Sequence, residues 1–238
     1  MKVEIWSDIA CPFCYIGKRK FETALEDFGQ SADIEIEFKS FELDPNAKKG
    51  TNMSNYEMLA AKYGMSIEQA KVTSNNVAQQ ARAVGLEFDF DKNILTNTKD
   101  AHRLLHLAKE KGKMIELKER ILKAYFTEGL DVGDHEVLAG LAEDAGLSKE
   151  EASRVLTDGS YSAAVEHDEN EARELGITGV PFFVFNRKYA VSGAQNPEHF
   201  LDVLNQVYEE EKGKPALKMM NSKAKTEYCS GDNCGEEE

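Results

Sequence analysis

Apart from a short alternation at residues 86–91, strand-like patterns occur only towards the two ends of this chain, and their separation constrains the fold more than any other feature. Lys2–Trp6 is typical of a short buried strand, and Ile34–Leu43 alternates apolar and polar side chains with period two. Towards the other end, Val180–Phe185 and Tyr189–Ser192 flank the turn Asn186–Arg187 and predict a β-hairpin. Neither pair of strands can bury its faces alone, so we expect both ends to build one sheet.

Helical periodicity fills the sequence between these strands. Apolar or small residues recur at steps of three or four from Cys14 to Phe28, which predicts a helix between the first two strands. Asn196 and Pro197 start a last helix with an apolar face. Between residues 42 and 175, further helical patterns cover residues 53–64, 66–85, 98–112, 113–129, 134–146, 148–159 and 161–176, with Thr51, Ser66, Asp134 and Ser148 as candidate N-caps.

This order of elements predicts an α/β sheet domain that is interrupted by a helical insertion. We predict a discontinuous domain of residues 1–41 and 176–212, an insertion domain of residues 42–175, and a mobile C-terminal tail of residues 213–238. The tail has no periodicity and is rich in charge, Gly and Ser. Leu86, Phe88 and Phe90 alternate with acidic residues, which is typical of a brief extended piece or an apolar loop, and we predict the loop.

Charge and hydropathy exclude several classes of partner. The 238 residues contain 29 Lys and Arg against 43 Asp and Glu, a net charge of −14, which argues against binding to nucleic acids or anionic membranes. No apolar run is long enough to cross a bilayer, and the N-terminus has no apolar stretch of signal-peptide length. If the chain is complete, we expect a cytoplasmic protein.

The four cysteines form two close pairs near opposite ends of the chain: Cys11 with Cys14, and Cys229 with Cys234. This is too sparse for a disulfide scaffold and too clustered for incidental core thiols. In the cytoplasm, where structural disulfides are disfavoured, such pairs indicate redox or metal chemistry.

The first pair stands at the predicted turn from strand to helix. A cysteine in the first turn of a helix meets unpaired backbone N–H groups and the positive end of the helix dipole, which favour the thiolate. We therefore expect Cys11 to be the attacking thiolate and Cys14, one turn deeper, to be the resolving thiol. Pro12 fits the first helical turn, where its missing N–H costs nothing.

Zinc binding is the main alternative for this pair. A single C-x-x-C is half of many zinc sites, but the second half is missing unless Cys229 and Cys234 supply it. The position at a helix start, with Pro12 inside the motif, favours redox chemistry over zinc. We therefore expect no bound metal.

At this point a family resemblance is clear. The stretches WSDIACPFCYIGKRKFETAL (residues 6–25) and TGVPFFVF (residues 178–185) resemble the DsbA-like branch of the thioredoxin superfamily, and most closely its FrnE-type proteins. The resemblance covers nearly the whole chain and implies a thioredoxin-like fold with a large all-helical insertion. It also implies that Cys11 is the nucleophile, that Cys14 is its redox partner, and that a cis-proline facing them corresponds to Pro181.

The same resemblance assigns supporting roles around the cysteines. It implies that the backbone of Val180 lies beside Cys11, where an extended substrate peptide can pair with it. Pro181 would keep a metal-binding side chain out of the site, although it is also typical of a residue that merely opens a strand. DsbA carries His where this chain has Phe13, and Phe13 cannot donate a hydrogen bond to sulfur. We therefore expect a protein less oxidising than DsbA.

FrnE-type proteins also resemble this chain in a C-terminal C-x4-C that exchanges disulfides with the first pair, here Cys229 and Cys234. The intervening Gly, Asp and Asn favour a turn, so a small-loop disulfide is feasible. We expect Cys229 and Cys234 to relay electrons to or from Cys11. A tail metal site and an idle exposed pair are the alternatives.

His102 and His106 have the i, i+4 spacing of metal ligands on a helix. No Glu follows His102 in an H-E-x-x-H pattern, and Leu104 with Leu105 carry the apolar face, so we predict a solvated helix face.

These observations predict a thiol–disulfide oxidoreductase or isomerase that acts on protein or peptide substrates, with no bound cofactor and with glutathione or a thioredoxin system as its external thiol partner. One rival is a glutathione-dependent enzyme of the kappa-class transferase or 2-hydroxychromene-2-carboxylate isomerase type. These enzymes share the fold but carry Ser at the Cys11 position. The other rival is a non-catalytic metal-binding or holdase module.

Overall fold

The computed structural model describes residues 1–30, 34–51, 53–212, 227–230 and 233–236, the last two segments by their backbone alone. Its centre is a four-stranded sheet in the order β2-β1-β3-β4, so both ends of the chain build one sheet, as predicted. The elements of this unit are β1 (Lys2–Ser7), α1 (Pro12–Phe28), β2 (Glu35–Ser40), β3 (Phe182–Phe185), β4 (Tyr189–Ser192) and α9 (Pro197–Lys212).

Strand β1 holds the sheet together. It pairs in parallel with β2, which needs the crossover helix α1, and antiparallel with β3, whose residue Phe182 lies opposite Trp6. The apolar side chains of β1 and β3 alternate between two faces. On one face, Phe183 packs with Phe21 of α1 and Phe200 of α9, with ring centroids 5.4 Å and 4.6 Å away. On the other, Trp6 packs with Ala172 of α8 (Ser162–Glu174).

The helical insertion between β2 and β3 is confirmed. A single hydrophobic cluster runs from Val3 and Ile5 of the sheet to Leu104 and Ile121 of the insertion. The division into two domains, with boundaries at residues 41 and 176, stays a prediction. Besides α8, the insertion contains α2 (Asn55–Tyr63), α3 (Ile67–Arg82), α4 (Lys99–Glu110), α5 (Met114–Lys123), a π-helical turn (Ala124–Glu128), α6 (His135–Asp144) and α7 (Lys149–Asp158). No helix in the described part of the chain is both long and apolar enough to span a membrane.

The segment around Leu86 and Phe88 is a loop, as predicted, and both side chains are buried. Phe88 stacks on Phe126 at 4.6 Å and on Tyr15 of α1 at 5.8 Å between ring centroids. The loop therefore covers the side of α1 that follows Cys14.

One predicted helix start is wrong. Helix α2 is capped by Ser54, which forms a capping box with Glu57, and not by Thr51. Thr51 instead accepts a hydrogen bond from the backbone of Met53. Ser54 was missed because both residue types cap helices and the apolar pattern starts weakly there. The predicted caps Ser66, Asp134 and Ser148 are confirmed.

The prediction of a solvated face for His102 and His106 is also wrong, because both side chains are buried. Helix α4 packs against α5, α7 and α8, so its polar face meets protein instead of water. His102 Nε2 lies 3.3 Å from Asp8 Oδ1, and His106 Nε2 lies 3.2 Å from Asp168 Oδ2. Each histidine thus faces a buried carboxylate.

The predicted mobile tail lies mostly outside the described residues. The described backbone segments β5 (Glu227–Ser230) and β6 (Asn233–Glu236) pair antiparallel, with Cys229 opposite Cys234. The sequence pattern predicted no strands there.

A buried carboxylate, Asp168 on α8, ties the insertion to the sheet. It accepts hydrogen bonds from the Ser40 backbone N–H at 2.8 Å and from Lys39 Nζ at 3.1 Å. Burial would raise the pKa of Asp168, but the contacts with His106, Ser40 and Lys39 outweigh burial and hold the pKa below its usual range.

We predict that Asp168→Ala lowers the free energy of unfolding by about 3 kcal/mol, because it leaves the Ser40 N–H buried without its acceptor and removes one of the three carboxylates that pair with the buried Lys39. Since the folded pKa of Asp168 is depressed, its stabilisation is present above the unfolded pKa of about 3.9 and is lost as the pH falls further. Urea unfolding at pH 7 and at pH 3 measures both effects, and the difference between the variant and the wild type should shrink in acid.

Glu174→Ala is the matched control, because Glu174 is an exposed acid on the same helix. It should change stability by no more than about 0.5 kcal/mol. An Asp168→Ala protein as stable as this control at pH 7 would contradict the role of Asp168.

Candidate active site

Cys11 and Cys14 lie at the start of α1, a few residues after the end of β1. Cys11 is the N-cap residue, with an extended backbone (φ −92°, ψ 111°), and Pro12 follows it at the first helical position. The Cys14 N–H donates to the Cys11 carbonyl at 3.1 Å, closing the first turn. Both thiols are free, and both residues are largely buried, at 4 % and 3 % exposure.

The segment that enters β3 faces this turn. Cys11 Sγ donates to the Val180 carbonyl at 3.6 Å, and the Val180–Pro181 peptide bond is cis, as the resemblance implies. Gly17, on the buried side of α1, allows this approach. A Cβ built at Gly17 would lie 3.0 Å from Pro181 Cγ and 3.3 Å from Ala194 Cβ, so a side chain there would push Pro181 away from α1.

The pKa values of the two thiols are shifted in opposite directions. A hydrogen bond from the Cys14 thiol, supported by the backbone N–H groups of Cys14 and Phe13, lowers the pKa of Cys11 despite its burial. Burial raises the pKa of Cys14 well above its usual range, and its hydrogen bond to Cys11 adds to the effect. This asymmetry suits Cys11 to attack and keeps Cys14 protonated until it is needed.

Sequence reasoning missed two charged groups beneath the cysteines. Asp8 is buried, and its Oδ1 accepts from Thr98 Oγ1 at 2.8 Å, while its Oδ2 accepts from the Leu43 N–H at 2.8 Å. Burial would raise the pKa of Asp8, but the hydrogen bonds from His102, Leu43 and Thr98 outweigh it and lower that pKa.

The second missed group is Lys118 of α5, which is 1 % exposed. The position of Asp8, three residues before Cys11, was a usable signal that it lies near the site. Lys118 carries no such signal, because a lysine in a highly charged helix is ordinarily solvated.

The rim of the site is apolar and open. Phe13, inside the cysteine motif, is 39 % exposed, and Leu43, whose backbone is bound to Asp8, is 43 % exposed. Exposed apolar side chains next to a reactive thiol provide a surface that a peptide segment can cover.

Comparison with known proteins places this arrangement in a family. The model of the DSBA-like thioredoxin domain matches residues 2–205, which span β1, the cysteine turn, the insertion and β3. The chain belongs to this DSBA-like thioredoxin domain family.

Two similar proteins support the membership. A probable DsbA oxidoreductase from Streptomyces coelicolor is 44 % identical, with a TM-score of 0.88 over 99 % of this chain and 98 % of that one. The uncharacterized protein YwbO from Bacillus subtilis is 30 % identical over 188 residues, which are 76 % of this chain and 85 % of that protein.

A more distant structure shares the fold alone. The cytosolic disulfide reductase DsbM from Pseudomonas aeruginosa, solved with GSH, is 15 % identical, with a TM-score of 0.62 over 88 % of this chain and 100 % of that one.

The remaining predicted site residues are Cys229 and Cys234. Their backbones pair in β5 and β6, and the structure describes these two residues by their backbone alone. Among the residues whose side chains are described, no group of three or more His, Cys, Asp or Glu could hold a metal ion.

For this DSBA-like domain we predict that Cys14→Ala raises the pKa of the Cys11 thiol, because it removes the hydrogen bond that stabilises the thiolate most. Cys14→Ser keeps a donor and should raise that pKa less. The pH dependence of alkylation by iodoacetamide measures it, and the rate at pH 7 should fall several-fold in the Ala variant. Equal profiles for the Ala and Ser variants would contradict this role of Cys14.

Proposed function

We propose that the protein is a thiol–disulfide oxidoreductase or isomerase of the FrnE type that exchanges disulfides with protein or peptide substrates. The observation that carries this proposal is the geometry of the first turn of α1, where Cys11 is the N-cap residue beside the Val180 carbonyl and Cys14 lies buried three residues on. The lowered pKa of Cys11 and the raised pKa of Cys14 agree with this arrangement. Family membership and the similarity to a probable DsbA oxidoreductase support it.

The exchange takes place in two displacements. The Cys11 thiolate attacks a substrate disulfide, forms a mixed disulfide, and releases one substrate thiolate. Cys14 then attacks Cys11 Sγ, which forms the Cys11–Cys14 disulfide and releases the second substrate thiol. Val180 is only half-buried, and its backbone beside Cys11 would pair with an extended substrate segment during the first step.

We further propose that the protein works in the cytoplasm with glutathione or a thioredoxin system as its thiol partner and with no bound cofactor. The Phe13 side chain has no donor that could add to the backbone N–H groups that stabilise the Cys11 thiolate. A less stabilised thiolate makes the disulfide form less oxidising, which favours reduction or isomerisation of substrates.

We predict that the full-length protein accelerates the reduction of insulin by dithiothreitol and that Cys11→Ser returns the rate to that of the uncatalysed reaction. The hydroxyl of Ser has no accessible anion at neutral pH and cannot form a mixed disulfide. Turbidity of the released insulin B chain is the measurement.

The control substitution is Ser153→Ala on α7, which leaves the cysteines and their partners unchanged. Equal activity of Cys11→Ser and wild type would reject disulfide exchange at this site. Inactive wild-type protein that conjugates glutathione to an electrophile would instead favour the transferase type.

We also propose that Cys229 and Cys234 form a second redox pair that exchanges with Cys11. Support comes from the backbone register of β5 and β6, which places the two residues directly opposite each other. Opposite Cα atoms in an antiparallel pair are about 4.5–5.5 Å apart, within the range that a disulfide spans. The tail pair would then pass electrons between the Cys11–Cys14 pair and the external thiol partner.

We predict that a Cys14→Ser variant, oxidised by diamide, accumulates an intramolecular disulfide that joins Cys11 to Cys229 or Cys234. Without Cys14 the mixed disulfide has no resolving thiol at the helix start, so it persists. Mass spectrometry of tryptic peptides under non-reducing conditions identifies it. Adding Cys229→Ser and Cys234→Ser is the control, and absence of the adduct in Cys14→Ser would remove the relay.

A further inference from the structure

Lys118 stands out among the charged side chains because it is fully buried without a hydrogen bond. Its Nζ has no partner among the described residues and lies 5.5 Å from the centre of the Phe38 ring on β2. Burial of an ammonium group without a partner is strongly unfavourable. A lysine in this position therefore needs either a nearby anion or the neutral amine form.

The contacts of Glu119, the next residue in α5, place Lys118 beside the cysteine turn. Glu119 accepts hydrogen bonds from Tyr15 Oη at 2.5 Å and from Lys18 Nζ at 2.6 Å, and it also pairs with Arg19. Tyr15 directly follows Cys14. These contacts hold α5 against the first turns of α1, so that Lys118 enters the space between that helix start and β2.

The groups that face Lys118 come from three elements. Cys11, Cys14 and Lys18 belong to the start of α1, and Asp8 precedes it. Burial lowers the pKa of His102 on α4 most strongly, and the charge of nearby Lys118 lowers the same pKa further. The carboxylate of Asp8 is already bound by other donors, so it compensates the lysine charge only through space.

We propose that Lys118 accepts the proton of Cys14 when the mixed disulfide is resolved and that its ammonium then stabilises the Cys14 thiolate. This inference rests on the proposed function. It gives a residue of the helical insertion a role in the chemistry of a cysteine pair that lies in the N-terminal segment.

The step balances in protons and electrons. Lys118 Nζ forms no direct hydrogen bond with Cys14, so Cys14 Sγ–H gives its proton to the Lys118 amine through one bridging water. The sulfur electron pair then forms the bond to Cys11 Sγ. The bond from Cys11 Sγ to the substrate sulfur breaks, and its electron pair leaves with the substrate thiolate, which takes a proton from water. Over both displacements the cysteine pair loses two electrons and the substrate disulfide gains two.

The acidity of the lysine agrees with this geometry. Burial lowers the pKa of Lys118 to about 8, against the opposing influence of Cys14, Asp8 and Cys11. A group with that pKa exchanges protons readily near neutral pH. The Cys11 thiolate loses its charge in the mixed disulfide, which favours the neutral amine at the moment when a proton acceptor is needed.

The test uses Lys118→Met, which keeps the length of the side chain and removes the amine. The reduced full-length protein is mixed with oxidised glutathione, and the mixed disulfide is followed by quenched-flow mass spectrometry. At pH 7 the adduct on Cys11 should form and then decay at least ~10-fold more slowly than in the wild type. Lys123→Met, an exposed lysine on the same helix, should decay like the wild type.

The pH profile separates this role from a structural one. The wild-type decay rate should rise with pH and level off above about pH 8, as the amine becomes free. In Lys118→Met the rate should continue to rise towards pH 10, following the thiol of Cys14 itself. A wild-type rate and profile in a folded Lys118→Met protein would overturn the role of Lys118 alone. Absence of any adduct in a Cys14→Ser protein, where no thiol at the helix start resolves it, would overturn the proposed function as well.

A measurement on the wild-type protein remains decisive if Lys118→Met does not fold. The 13Cε resonance of Lys118, assigned through its contact with Phe38, is titrated in the dithiol and disulfide forms. The lysine should titrate at higher pH in the dithiol form, where the Cys11 thiolate faces it. The same titration in both redox forms would overturn the proposal.

Discussion

The antiparallel pairing of β1 with β3 is the contact on which the rest of the structure depends. It joins segments from opposite ends of the chain, with Trp6 opposite Phe182 and Ile5 opposite Phe183. Cys11 follows β1 and Val180 precedes β3, so this register brings the thiol to the Val180 carbonyl. A shift by one residue would reverse the faces of β3 and separate the two.

The packing of α1 on the sheet completes this geometry. Phe21 and Phe200 fill the space above Phe183, and Gly17 leaves room for Pro181. The helix start therefore lies close to the segment that enters β3, and the backbone N–H groups of Phe13 and Cys14 approach the Cys11 sulfur. A dry, closely packed setting increases the difference in acidity between Cys11 and Cys14, because burial disfavours the anion of the deeper thiol.

The helical insertion adds buried charge to a site that the terminal segments build. His102 and Thr98 bind Asp8 beneath the cysteine turn, and Lys118 lies in the same region with no hydrogen bond of its own. Farther from the cysteines, Asp168 connects α8 to β2 through Ser40 and Lys39. The insertion is thus linked to the sheet by paired charges as well as by apolar packing.

The sequence by itself determined most of the helices and strands, the assembly of one sheet from both ends of the chain, and the Cys11–Cys14 motif, because periodicity, capping residues and motif spacing are local properties. It did not distinguish a solvated polar face from a buried one. His102, His106 and Lys118 each have the polar character of an exposed helix face, and only tertiary packing puts them beside Asp8, Asp168 and the cysteines. Burial and charge compensation depend on residues far apart in the chain, so the electrostatics beneath Cys11 became visible only in the folded structure.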